Sequence, residues 1–160
     1  MKRVCIVVVI TSAFVLVPLA GQINSPLFLY EKSELVIETE DGATATFKVV
    51  VVTRSEDLAQ GLMNVQFMPL DQGMVFLHST KREVSMWMKN THVSLDMWFV
   101  SETGLVTRVV SKTQPESTDL IRSGGPVLAV VEVNAGLSSL IGVTAGAQLR
   151  HRVFSNVSKD

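Results

Sequence analysis

Across residues 34–53 the chain reads ELVIETEDGATATFKVVVVT, with Leu35 and Ile37 on one face, Asp41-Gly42 between, and Ala45, Phe47, Val49 and Val51 again on one face. Period two is the repeat of a strand with one buried side, and Asp-Gly is a hairpin dipeptide, so two antiparallel strands are predicted. The period breaks in TRSEDLAQGLM, where Thr53 and Glu56 have the spacing of a capping box and Gly61 is placed to stop a helix about two turns later. One short helix near 54–60 is expected, and no other regular one. NVQFMPLDQG reads as a loop, MVFLH as a short strand ending in a polar turn over 79–82, and EVSMWM and VSLDMWFV as two strands around a reversal at 89–92. Asn90 supplies the left-handed backbone such a reversal needs. SETG marks the next turn, LVTRVVSKT the next strand, and QPESTDLIRSGGP a long loop. VLAVVEV is almost wholly apolar, as a central strand covered on both faces is, and QLRHRVF alternates once more.

About eight mostly antiparallel strands with a single short helix predict an all-β single-domain fold, either a sandwich or a closed barrel. The two long irregular stretches, 64–73 and 114–126, are then expected to rim a pocket, because a rigid scaffold carries function on its loops. No internal repeat or interdomain linker interrupts the pattern.

The start of the chain has a different character. Lys2 and Arg3 precede an apolar run over 4–17 and then Pro18-Leu19-Ala20-Gly21, the charged, apolar, small order of a secretory signal. Residues 1–25 are read as a signal peptide, or as an N-terminal anchor if uncleaved, and 26–160 as the β domain, periplasmic or secreted. Cys5 is the only cysteine and lies in this leader, so the processed chain has no disulfide, thiol nucleophile or cysteine ligand. Of 14 Lys/Arg the leader holds two, and of 15 Asp/Glu it holds none, which leaves about −3 on the remainder. That balance does not point to nucleic acid, and the membrane is a partner only through an uncleaved leader.

GLM at 61–63, GMVF at 73–76, WMKNT at 87–91, LDM at 95–97 and VVEVNAG at 130–136 come in the order and spacing of one family. The chain resembles the DUF192 family, small and often exported prokaryotic proteins of unknown function. The resemblance spans about 35–154 and implies an all-β domain and export, with no established activity. The sequence departs from the family pattern at Asn64, Ser94 and Ala147, where an arginine, a proline and an aspartate are usual.

The polar residues of these motifs, Lys89, Asn90, Thr91, Asp96 and Glu132, are with Trp87 the candidate ligand-binding residues. Alternation places Asp96 with Ser94 and Trp98, opposite Leu95, Met97 and Phe99, and a hairpin at Asn90 would bring Lys89 toward Asp96. One reading makes Lys89, Asp96 and Glu132 a cleft cluster that binds a small polar or glycan-like ligand or an envelope protein. The other makes them a buried network in which Asp96 accepts backbone N–H bonds and fixes the turn at 89–91. A small envelope hydrolase using Asp96 and Glu132 is an alternative to the binding module, and the balance leans away from an enzyme. His78, His92 and His151 have no local partner pattern and read as surface residues, so no zinc site, other metal or cofactor is called for. A second alternative is a periplasmic copper protein, since Met86 and Met88 share a strand face and thioethers, with a histidine, suit Cu(I).

Overall fold

The computed structural model describes residues 25–155, so the leader read over 1–25 lies, Ser25 apart, outside the described residues. The elements in chain order are α1 (Pro26–Leu29), β1 (Ser33–Glu38), β2 (Thr44–Val52), α2 (Ser55–Gln60), β3 (Gln72–Met86), β4 (Leu95–Val100), β5 (Val106–Val110), β6 (Ile121–Asn134), α3 (Leu137–Ile141) and β7 (Gln148–Arg150). The seven strands form one sheet in the order β5-β4-β6-β3-β2-β1-β7, antiparallel except for the β2–β3 pair.

The sheet is curled into an open half-barrel. In a flat sheet β2 and β4 would stand three strand spacings apart, about 14 Å. Yet the rings of Phe47 on β2 and Trp98 on β4 meet edge to face at 5.6 Å. The inner core gathers Leu35, Phe47, Val49, Trp98, Val106, Val131 and Leu149, from strands at both ends of the order, as only a curled sheet allows. The sheet edges touch only locally, at the isolated bridge of Leu105 with Gln148 and the backbone bonds between 104–106 and 146–149, and the barrel does not close. The outer face carries a second core of Val50, Val52, Met74, Phe76, Met97, Phe99 and Val130, covered by Leu27 of α1, Leu62, Val65 and Met68.

Seven strands replace the predicted eight because MVFLH and EVSMWM are one element. β3 runs through the polar stretch at 79–82 and absorbs it as a register shift between Leu77 and Arg82 against β6. A bulge lets a strand carry unpaired polar residues without ending. The predicted loop 114–126 likewise gives its second half to β6, which starts at Ile121. The helix near 54–60 is present as α2 and ends at Gly61, whose N–H donates to the Asp57 carbonyl (2.8 Å). Thr53 does not cap it: Arg54 is the N-cap residue and makes no side-chain cap bond. Two further short helices, α1 and α3, were not predicted.

The largest correction concerns the stretch 83–100. β3 and β4 do not form a hairpin, because β6 lies between them and pairs with both. The chain crosses over β6 through 87–94, and Asn90 does adopt the left-handed backbone (φ 54°) within that crossing.

Gly73, in the GMVF motif, marks where β3 and β6 come closest. A Cβ there would stand 2.7 Å from the Glu132 carbonyl oxygen and 3.1 Å from Val133 Cγ1. Gly73→Ala is therefore expected to cost about 1–3 kcal/mol by overpacking, read as a lower urea midpoint. An unchanged midpoint would show that the two strands separate freely.

Candidate functional site

Strand register decides which of the candidate residues meet. Asp96 stands opposite Val133, and Met97 stands opposite Glu132. Directly paired residues share a face and neighbours along a strand alternate, so Asp96 points to the inner core with Val133 while Glu132 points to the outer side with Met97. The two carboxyl groups are on opposite faces of the sheet. The two carboxyl groups of a glycoside hydrolase face one cleft across about 5–10 Å, and this register keeps Asp96 and Glu132 from doing so.

Asp96 is sealed at 0% exposure. Its Oδ1 accepts the N–H of Lys112 (2.8 Å) and of Gly136 (3.0 Å), and its Oδ2 accepts the N–H of Ser138 (2.8 Å). It ties the turn after β5 and the start of α3 to β4, and the 89–91 turn receives none of its bonds. Gly136 takes part through a left-handed backbone (φ 88°) that suits glycine. Trp98, equally buried, donates Nε1–H to Ser138 Oγ (2.8 Å). Asn134 of the same motif donates from Nδ2 to the carbonyls of Met68 (3.0 Å) and Pro69 (3.1 Å), pinning the loop that covers the outer core.

Glu132 has the opposite character. It is 4% exposed near the C-terminal end of β6, an interior strand of the sheet. None of the hydrogen bonds or ion pairs among the described residues includes its side chain, and burial pushes its carboxyl pKa up to about 8. The carboxyl borders a cavity of about 30 Å³ whose wall is built by Leu58 to Gln60 of α2, the GLM turn, Phe76 and Met86 of β3, and Trp87, Lys89 and Thr91. That volume is about the share of one water molecule. Gly61 admits the Phe76 ring, since a Cβ there would lie 3.0 Å from it.

The remaining candidates rim this cleft or brace it. Trp87 is 46% exposed, and the Lys89 ammonium lies 5.5 Å from its ring centroid as a cation–π contact. Lys89 makes no ion pair with Asp96 or Glu132. Thr91 donates its hydroxyl to the Lys89 carbonyl (3.2 Å) and its N–H to the Met88 carbonyl (3.0 Å). The Asn90 carbonyl accepts the N–H of Asn64 (2.8 Å), joining the crossing to the GLM turn. The cleft thus lies between α2 and β3, and the loops 64–73 and 114–126 do not rim it.

The methionine pair does not present two thioethers to one site. Met88 is buried at 1% exposure with its sulfur accepting the Thr113 hydroxyl (3.2 Å), whereas Met86 borders the cleft. His92 pairs with Glu116 through Nδ1 (2.5 Å). One histidine is not a surface residue: His151 is 4% exposed and bonded to Ser33 Oγ (2.8 Å), while His78 is half-buried, with Nδ1 bonded to Arg82 (3.3 Å) and a buried Nε2 without a partner. Burial lowers the pKa of both. Leu58, Gln60, Met63 and Phe76 were not singled out from the sequence. Two of them stand in the GLM and GMVF motifs, the one signal that marked them.

The same motifs now stand around one cleft and its braces, and the model of the DUF192 family, described as uncharacterized ACR, matches residues 36–151. The chain belongs to the DUF192 family. A crystal structure of a proposed transcription regulator from Sinorhizobium meliloti 1021 is similar, with 34% identity, a TM-score of 0.76, and coverage of 78% of this chain and 97% of that one. A protein of unknown function from Novosphingobium aromaticivorans DSM 12444 is similar at 27% identity and a TM-score of 0.72, covering 75% of this chain and 85% of that one. No curated protein matches the chain. Within this DUF192 domain the motif residues fall into two groups. Asp96, Asn134 and Gly136 lock the fold, while Gly61, Met63, Phe76, Trp87, Lys89 and Glu132 line the cleft.

Proposed function

We propose that the protein is an exported binding domain of the cell envelope rather than a hydrolase. Its cleft between α2 and β3 takes a small polar or glycan-like molecule, or a segment of an envelope protein, that presents one polar group to Glu132. The observation that carries this is the Glu132 carboxyl, buried and without a partner beside an open, water-sized cavity. A carboxyl that no group of the protein bonds and that opens on a cleft is free to take a partner from outside. With its pKa near 8, the group is protonated at neutral pH and both donates and accepts, which suits a hydroxyl or an amide. Trp87 offers an exposed ring beside it, as platforms for sugars and peptides do. Export rests on the charged, apolar, small order of residues 2–21. The regulator description of the Sinorhizobium protein is not carried over, because 14 basic residues against 15 acidic ones offer no excess of positive charge for nucleic acid.

Titration with acetamide and with N-acetylglucosamine, followed by amide NMR, tests the cleft. The expected result is shifts concentrated at Gly61, Trp87, Thr91 and Glu132, with affinity reduced about tenfold in Glu132→Leu, the equivalent of one lost hydrogen bond. Shifts that bypass these residues, or that survive unchanged in the variant, would remove the cleft as the binding site.

A further inference from the structure

The Glu132 cavity is one end of a longer groove. It shares Leu58, Phe76, Met86 and Trp87 with a cavity of about 350 Å³, which in turn shares His78 and Arg82 with one of about 260 Å³. The middle cavity is lined by residues 82–87 in unbroken succession. Side chains of a strand alternate between faces, so a cavity on one face meets every second residue. One that meets six in a row lies along the strand's edge.

That edge is open. β2 leaves β3 after the pair Val52 and Phe76, and from Leu77 to Met86 the only strand partner of β3 among the described residues is β6. Val84 turns its N–H toward β6, donating to Ser123 Oγ (2.9 Å), so alternation turns the N–H and C=O of Ser85 to the open side. His78, whose Nδ1 is bonded to Arg82 (3.3 Å), lines the same groove. A row of backbone donors and acceptors at strand spacing is matched by another strand and not by a sugar.

We propose that this groove docks an extended segment of a partner protein, which adds as a strand to the open edge of β3 over residues 82–87, with α2 as the opposite wall, and turns one side chain toward Glu132. The inference rests on the cleft described above and names its occupant. Six residues at about 3.3 Å each give a docked length of roughly 20 Å. With Glu132 protonated at neutral pH, Arg82 and Lys89 outnumber Glu83 along the groove, so the segment carries an acidic residue. The charged run Lys81 to Glu83 and the register shifts on either side of it keep longer strands from pairing, as guarded edges do.

The probe is a set of blocked octapeptides alternating Thr and Val with one central Asp, compared with the same peptides carrying Lys, and read by amide NMR and hydrogen exchange. The expected result is slowed exchange at the Ser85 amide, and several-fold tighter binding of the Asp peptides that weakens with salt. N-methylation of alternate peptide residues should abolish binding in one of the two possible patterns and spare it in the other, because only one edge of the peptide faces β3. Ser85→Pro removes an N–H on the open edge, where proline is tolerated, and should keep the melting temperature while losing peptide binding about tenfold or more. Equal binding of both methylation patterns, or full binding by Ser85→Pro, would overturn strand addition and leave the cleft standing. Octapeptides that leave the cleft unperturbed while acetamide perturbs it would likewise end this proposal alone.

Discussion

Asp96→Ala is expected to lower the free energy of unfolding by about 3–5 kcal/mol, a large part of the 5–15 kcal/mol typical of a domain. The side chain is wholly buried and accepts three backbone N–H bonds from Lys112, Gly136 and Ser138 at 2.8–3.0 Å. The buried Ser138 donor left without its acceptor costs about 1–3 kcal/mol, and the part-buried bonds from Lys112 and Gly136 add to it. Asp96→Asn is the sharper variant. It retains one acceptor oxygen for Lys112 and Gly136 but sets an amide N–H₂ against the N–H of Ser138, so roughly 2–3 kcal/mol should be lost without any change of shape. In urea both variants should unfold at a lower midpoint with the same slope, since the surface exposed on unfolding is unchanged. An Asp96→Asn protein as stable as the parent would overturn the assignment of Asp96 to the fold.

For Glu132→Gln the expected result is the reverse, a protein more stable than the parent at alkaline pH. The folded carboxyl titrates near 8 and the unfolded one near 4.5. Between those values the native state holds a proton that the unfolded state has released, so stability falls as pH rises through this window and levels off above it. The full difference is roughly 5 kcal/mol, because each pH unit between the two values contributes about 1.4 kcal/mol. Glutamine is close to the protonated side chain in shape and cannot ionise, so the variant should match the parent near pH 4.5 and exceed it by several kcal/mol at pH 8. His78 and His151, whose pKa values burial lowers, titrate in both proteins and cancel in the comparison. Lys89 is the one charged group facing Glu132 across the cleft among the described residues, and is common to both. Parallel stability curves from pH 5 to 8 would show that Glu132 is ionised in the fold, with a partner of its own. A destabilised carboxyl kept in an interior strand is what the proposed binding role predicts.

Local pattern carried much of the architecture. Leu35, Ile37, Phe47 and Val49 share the inner core because period two forces alternate residues to one side, and β6 is interior, paired on both edges, because VLAVVEV is almost wholly apolar. The short helix at 55–60, its stop at Gly61 and the left-handed Asn90 were legible for the same reason: each depends on a few neighbouring residues. The two faces of β4 were legible as well, with Asp96 and Trp98 opposite Leu95 and Met97.

What alternation leaves undetermined is which strands lie side by side. The β3 to β4 segment looks like a hairpin locally, yet β6, some thirty residues later, enters between them. The one-residue offset of Asp96 against Val133 then sends Asp96 and Glu132 to opposite faces, and with that pairing the two-carboxylate hydrolase disappears. The sequence also marked GLM, GMVF, WMKNT and VVEVNAG one by one without placing them around a single cleft. Side-chain periodicity is a property of each strand alone. Register and strand order are set by long-range pairing and by the burial of both faces of the curled sheet, so only the tertiary structure decides which motifs meet.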